Sequence, residues 1–265
     1  MDPQLESFFD VLCAAASSRT MPLFRTNSEI DNKLGDGFDP VTEADRGAEK
    51  AIRAIITARY PDHGIVGEEF GTENEGAEYQ WIIDPIDGTR AFVSGLPSWG
   101  TLIGLYRNGK PFAGCMDQPF TGERFVAVPQ ADGSLASVFK HRADAAQEMQ
   151  TRYCPDLSSA TIMTTDPGLF QDQERDKFGA LRRACRLHRY GTDCYAYCMV
   201  ALGQADLVVE SGLNIYDIAA LIPIIEGAGG VVTNWEGGDA SKGGQVLASA
   251  NQRLHDQALA LLSNS

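Results

Sequence analysis

Trp81-Ile82-Ile83-Asp84-Pro85-Ile86-Asp87-Gly88-Thr89 is the stretch from which the rest of the chain can be read. Its first three residues form a compact apolar run suited to a buried strand, and the run stops at Asp84-Pro85. A strand end is a rigid place from which to aim carboxylates into a crevice. Pro85 stiffens the exit, and Gly88 lets backbone come close to a ligand. Two carboxylates three positions apart on a tight turn can hold two hard cations, the arrangement used for in-line phosphoryl displacement. The amides of Gly88 and Thr89 can then hold a phosphate. The bland alternative is an ordinary acidic turn, since Asp and Gly favour turns for purely local reasons.

On the N-terminal side, Leu5, Phe8, Phe9, Leu12 and Ala16 recur at helical spacing and predict a helix over 5–23. The surroundings of Gly35 and Gly37 read as a loop. A second helix begins after Pro40, with Thr42 as its cap and Ala48, Ile52, Ile55 and Ile56 as its apolar face. Gly64 to Gly67 is a short extended segment. Beyond Gly95, apolar stretches broken at Asn108-Gly109 and Asp132-Gly133 predict antiparallel strands joined by tight turns. The pattern restarts near residue 150. Strands are expected at TIMTT (161–165), HRYG (188–191), DLVVE (206–210) and VVTNW (231–235). Helices are expected at 173–186, 194–202, 215–228 and after Asn251. Two subdomains, 1–147 and 148–265, fit this layout.

Further carboxylates stand where the same chemistry needs them. Glu68 and Glu69 follow an apolar pair, Asp45 opens the second helix, and Asp217 opens the one that ends at Gly229-Gly230. Taken singly, Asp45 and Asp217 read as helix-start stabilisers worth about 0.3–1 kcal/mol each, and the Glu pair reads as solvated. A phosphatase with a nucleophilic aspartate would carry DxDGT, but here two residues separate Asp84 from Asp87, so that mechanism is rejected.

Net charge is −14, from 36 acidic and 22 basic residues. Such a surface repels nucleic-acid phosphates and anionic lipid, so neither is expected as a partner. It would also repel an anionic substrate unless cations first reverse the local charge, which favours metal. The six cysteines show no CxxC pair. Cys194 and Cys198, four apart on a helix, are read as packing thiols in preference to a metal or redox pair. No apolar run reaches the length of about 18 residues that a membrane span needs. The acidic N-terminus is unlike a signal peptide, and a cytoplasmic location is expected.

The segments PVTEAD (40–45), GEE (67–69), WIIDPIDGT (81–89) and YDIAALIPIIEGAGG (216–230), in this order and spacing, resemble the inositol monophosphatase family of metal-dependent phosphatases. The resemblance implies an α/β fold, specifically a layered αβαβα sandwich, usually dimeric, so a homodimer is expected. By position it implies Glu68, Asp84 and the Ile86 carbonyl as ligands of a first Mg²⁺. Asp84, Asp87 and Asp217 match the ligands of a second, and Glu68 the helper of a third, weaker ion. It further implies Asp45 and Thr89 as the pair that orients and deprotonates water, and Gly88 and Thr89 as phosphate contacts. Asp87 and Glu210 take substrate-contacting positions. No phosphoenzyme is expected, and the four histidines receive no role.

The runs DGTRAFVSGLPSWGTLIGL (87–105), DQP (117–119) with ERF (123–125), and Gly191 to Tyr197 look like the histidinol-phosphate phosphatase branch. The substrate expected is a small phosphorylated metabolite, L-histidinol phosphate, whose ammonium group Asp193 and Glu210 would hold, with Trp99 or Tyr195 as an aromatic wall. Asp193 can equally be a helix N-cap before CYAYCMVAL. Two alternatives stay open: an inositol monophosphatase tolerant of other sugar phosphates, and a family member that binds the transcription machinery.

Overall fold

The computed structural model describes residues 3–26, 30–32 and 40–263, without the side chains of 30–32 and 40–42. The expected loop at Gly35 and Gly37 and the capping role of Thr42 lie outside what is described. Helix α1 (Pro3–Thr20) buries Leu5, Phe9, Leu12 and Ala16. It ends three residues earlier than its apolar period, because Pro22 disfavours helical backbone at the residue before it. A short antiparallel ribbon of β1 (Ile30–Asn32) and β2 (Pro40–Thr42) leads into α2 (Glu43–Arg59). The α2 residues Ala48, Ile52 and Ile56 close over α1, as their spacing predicts.

Next come β3 (Gly64–Gly67), β4 (Gly71–Glu73), β5 (Tyr79–Asp87), the short helix α3 (Thr89–Val93), β6 (Gly100–Arg107), β7 (Lys110–Gln118), β8 (Glu123–Pro129), β9 (Leu135–His141) and β10 (Gln147–Glu148). These eight strands form one sheet in the order β10-β9-β8-β7-β6-β5-β3-β4. The β6–β7 turn sits at Asn108 and Gly109, both at positive φ, the backbone a two-residue hairpin requires. Strand β5 does not stop at Asp84-Pro85 as its composition suggests. It runs to Asp87 through a bulge, Asp84 pairing with Leu102 and Asp87 with Gly100. The bulge leaves Pro85, which has no N–H to offer, outside the ladder, and the Thr101 hydroxyl donates to the Pro85 carbonyl at 2.8 Å.

The remaining elements are β11 (Thr161–Thr164), α4 (Asp172–Ala184), β12 (Leu187–Tyr190), α5 (Asp193–Ala201), β13 (Leu207–Leu213), α6 (Ile215–Ile218), α7 (Leu221–Gly227), β14 (Val231–Thr233), β15 (Gly244–Ser249) and α8 (Gln252–Leu262). Their five strands make a second sheet in the order β12-β11-β13-β15-β14. The single helix expected over 215–228 is two. Pro223 has no amide for the Ala219 carbonyl four residues back, and its ring crowds that carbonyl. The break lands against Gly104 and Gly114 of the first sheet. A Cβ on Gly114 would lie 2.1 Å from the Ala220 carbonyl oxygen, so only glycine permits this approach.

Period-two alternation sorts the side chains into layers. Ile103 and Leu105 face α1 and α2, while Leu102 and Met116 face α5 and α7. Val208, Val246 and Ala248 of the second sheet close that middle layer from the other side. Leu207, Val209 and Leu247 point away from it, toward Phe178 and Leu181 of α4 and Leu254 and Ala258 of α8. The result is the layered αβαβα sandwich that the sequence implies, with both sheets meeting on the helices that carry Asp193 and Asp217.

Candidate active site

Five carboxylates separated in sequence converge beside the β5 bulge. Ligand-competent oxygens of Asp84, Asp87 and Asp217 all lie within 4.8 Å of one another. Asp84 is 2% exposed, and burial raises its pKa far above the ordinary carboxylate range. The next largest causes are the charges of Glu68, Asp87, Asp217 and Asp45, which places all four around it. Asp87 is raised in the same way by burial and then by Asp193 and Asp217. Asp217 is pushed up to about 6 by burial, against the pull of the Asn214 amide, 2.6 Å from its Oδ2.

Each member is aimed by local backbone chemistry. The Ile86 amide donates to Asp84 Oδ1 at 3.0 Å, and the Cys194 amide donates to Asp87 Oδ2 at 2.7 Å. The Thr89 hydroxyl donates to the Ile86 carbonyl at 3.0 Å, so the residue expected to orient water and the carbonyl expected as a ligand touch directly. Gly88 has φ 84°, a left-handed conformation. A Cβ there would stand 3.1 Å from the Trp99 backbone and 3.2 Å from Asp193 Cγ, so a side chain would be crowded on two sides as well as strained by the positive φ. Asp45 is 2% exposed in the first turn of α2.

The loop that carries Glu68 is held by a residue that motif reading passes over. Glu49 is fully buried on α2, 2.7 Å from Arg53, and accepts from the Glu69 amide at 2.7 Å and the Phe70 amide at 3.2 Å. A Cβ on Gly67 would fall 1.9 Å from Glu49 Oε1, so the glycine before Glu68 makes room for this carboxylate. The signal was present as a Glu–Arg pair four apart on an otherwise apolar helix face.

On the far side of Gly88 a cavity of about 400 Å³ opens, lined by Arg90, Leu96, Thr165, Asp166, Tyr190 and Asp193 among others. Asp193 is not the helix N-cap. Thr192 holds that place, and Asp193 is the first helical residue, with φ 41° and no cap hydrogen bond formed at the helix start. Burial pushes it up to about 6, opposed by the Thr165 side chain and the Arg90 charge. Glu210, on β13, accepts from the Thr164 hydroxyl at 3.1 Å and the Thr165 amide at 2.6 Å, and burial pushes it up to about 7. The expected aromatic wall is a different residue. Trp99 is fully buried against Phe24 and Phe92, and Tyr195 donates its hydroxyl to Glu123 at 2.7 Å. Tyr190 lines the cavity instead.

A set of hard oxygen donors, buried and mutually repelling, fits a divalent cation and fits little else. The profile of the inositol monophosphatase family matches residues 4–265. The bifunctional phosphatase IMPL2, chloroplastic, of Arabidopsis thaliana is 39% identical over 97% of this chain and 75% of its own length. The histidinol-phosphatase of Chlorobaculum parvum is 34% identical over 100% of this chain and 98% of its own length. Among solved structures, an inositol monophosphatase from Zymomonas mobilis superposes with TM-score 0.85 at 38% identity, covering 100% of both chains. Motifs, layered fold and carboxylate cluster are accounted for together: this chain is a phosphatase and belongs to the inositol monophosphatase family.

Proposed function

We propose that this phosphatase hydrolyses L-histidinol phosphate to L-histidinol and phosphate, using Mg²⁺. The observation that carries the reading is a second carboxylate, half-buried Asp193 in the cavity beside Gly88, in the neighbourhood of the buried Glu210. A single carboxylate such as Glu210 can accept from the hydroxyls of a polyol, whereas a second one at Asp193 adds the negative charge that an ammonium group matches. The histidinol-phosphatase of Chlorobaculum parvum, similar along the full chain, supports the same choice.

In this reading Glu68, Asp84, Asp87, Asp217 and the Ile86 carbonyl hold two or three Mg²⁺. The bound cations supply the positive charge that admits an anionic ester and activate water toward phosphorus. The chain's own groups do the rest. The Gly88 and Thr89 amides fix the phosphate, and Thr89, anchored on the Ile86 carbonyl, orients the attacking water. Asp45 would take the water's proton, relayed when the Thr89 hydroxyl turns from the Ile86 carbonyl toward it, and a second water would protonate the alkoxide released as the P–O bond breaks in line. Asp193 and Glu210 hold the leaving alcohol by its ammonium.

Phosphate release from L-histidinol phosphate and from myo-inositol 1-phosphate, each with Mg²⁺ and with EDTA, tests this directly. The expected result is a Mg²⁺-dependent preference of about tenfold or more for L-histidinol phosphate, ~1.4 kcal/mol of transition-state discrimination. Preference for the inositol ester would move the chain to the inositol-phosphate branch. Asp193→Ala should raise KM for L-histidinol phosphate by about tenfold, and for myo-inositol 1-phosphate much less. Equal effects on both would remove the amine assignment.

A further inference from the structure

The DQP and ERF runs stand at the facing ends of β7 and β8 and take no part in the cleavage of the ester itself. Gln118 and Glu123 pair directly across that hairpin end. Gln118 is fully buried, and every hydrogen-bonding position of its side-chain amide is used. Its Nε2 donates to the Trp99 carbonyl at 2.8 Å and to the Pro97 carbonyl at 3.2 Å. Its Oε1 accepts from the Phe120 amide at 2.7 Å and from the Thr121 amide at 3.2 Å. One side chain thus ties the hairpin turn to segment 97–99. Glu123 reaches the other way. It accepts at 2.7 Å from the Thr121 hydroxyl and at 2.7 Å from the hydroxyl of Tyr195, on α5. The hairpin is fixed from behind, where Arg124 lies 2.7 Å from Asp117 and 2.5 Å from Asp10 of α1.

Both arms lead to the flanks of Asp193. This residue has φ 41°, a conformation that a non-glycine residue keeps only where the surroundings enforce it. The enforcement is visible on either side of it along the chain. Before it, the Gly191 carbonyl accepts from the Ser98 hydroxyl at 3.0 Å, and Ser98 stands between the two residues whose carbonyls Gln118 holds. After it, the Cys194 amide donates to Asp87 at 2.7 Å and Tyr195 is tied to Glu123. The Trp99 backbone and the Asp193 side chain meet at Gly88, where both crowd the place a Cβ would take.

We propose that Gln118 and Glu123 are positioning residues, which fix the Asp193 carboxylate relative to the Gly88 phosphate loop and thereby set the preference for a substrate bearing a cationic amine. Gln118 acts through Ser98 and the Gly191 turn, Glu123 through Tyr195. This role rests on Asp193 being the partner of the amine, as proposed for L-histidinol phosphate. With the phosphate held at one point, the ammonium of a given ester falls at a set distance from it, and a carboxylate that drifts loses the charge-assisted bond. The bonds of Gln118 and Glu123 end on segment 97–99, the hairpin turn and α5 rather than on Asp84 or Asp217. Loosening them should therefore cost selection more than hydrolysis.

Glu123→Ala, Tyr195→Phe and Gln118→Met are to be compared with wild type and Asp193→Ala, all with Mg²⁺, on L-histidinol phosphate and myo-inositol 1-phosphate. Each of the three should raise KM for L-histidinol phosphate about fivefold and KM for the inositol ester less than about twofold, with kcat on both changed less than about twofold. Glu123→Gln keeps an acceptor for the Tyr195 hydroxyl and should leave KM at the wild-type value. Calorimetric titration with L-histidinol should weaken by the same factor as KM, a readout independent of turnover. Gln118→Met carries the largest risk to folding; if it does not fold, Glu123→Ala and Tyr195→Phe decide alone. An Asp193→Ala that impairs only L-histidinol phosphate, beside variants that shift both esters equally or neither, overturns the positioning role alone. An Asp193→Ala that impairs both esters equally overturns the amine reading, and the positioning role with it.

Discussion

Asp84 shows how much of the chemistry is concentrated at single positions. Four carboxylates bear on it inside the protein, and its carboxyl oxygens lie within 4.8 Å of those of Asp87 and Asp217. Replacing it with Asn keeps the shape, keeps an acceptor for the Ile86 amide, and deletes one negative charge from a repelling cluster. Asp84→Asn should therefore lower kcat/KM by about a thousandfold or more, since the carboxylate proposed to be shared between two cations is gone. The variant should melt no lower than wild type in EDTA. Near-normal turnover, or collapse of the fold, would contradict the role given to this side chain. The neighbouring thiol has a quieter part. Cys194 and Cys198 are both buried in the middle layer of the sandwich, as packing residues, and it is the Cys194 amide that positions Asp87.

At the scale of elements, motifs were legible wherever a short run carries its own reason. WIIDPIDGT announces a strand and a carboxylate turn, and EADRGAEKAIRAII announces an amphipathic helix. What escaped reading depends on partners distant in sequence. Strand β15 is six residues that begin at the second of two glycines, Gly243-Gly244, and its sequence resembles a loop until β13 and β14 supply its ladders. The split between α6 and α7 was marked by Pro223, but the glycines that receive it lie about a hundred residues earlier. Tyr190 could not be chosen over Trp99 and Tyr195 as the cavity's aromatic without knowing which ring each core absorbs. The Glu49 clamp belongs to this scale as well, because it ties α2 to the loop after β3. Glu49→Ala would leave the buried Arg53 with only Glu73 and the Gly71 carbonyl as partners and release two amides. We expect a loss of roughly 1–3 kcal/mol, read as a shifted urea midpoint, and weaker Mg²⁺ activation through the loosened Glu68 loop. A midpoint unchanged from wild type would show that the clamp is dispensable.

Over the whole molecule, the acidic centre is held at a cost when cations are removed. Asp193 and Asp217 rise to about 6 and Glu210 to about 7, all above the unfolded values near 4. The folded state consequently binds more protons than the unfolded one between about pH 4 and 7. The stability these groups contribute is complete below pH 4 and is lost as pH rises through 6 to 7. Metal-free protein should therefore melt lower at pH 8 than at pH 5, by roughly 5 °C or more at about 2–4 °C per kcal/mol. Mg²⁺ at a hundredfold excess over its Kd should return about 2.7 kcal/mol at pH 8 and much less at pH 5. Thermal melts in EDTA and in Mg²⁺ at both values check this. A flat profile in EDTA would mean that the carboxylates are already neutralised within the protein.

The placement of β15 bears on how the molecule is made. It lies between β13, which carries Glu210, and β14, although it follows both along the chain. A ribosome delivers the first sheet, with Asp45, Glu68, Asp84 and Asp87, long before it delivers Asp217, and it delivers β15 later still. Until Asp217 is made the nascent chain holds four of the five converging acids, and until β15 is made it lacks the strand that completes the second sheet. Products terminated before β15 should thus be inert and prone to capture by quality control, and hydrolytic competence should arrive only after β15 has left the ribosome.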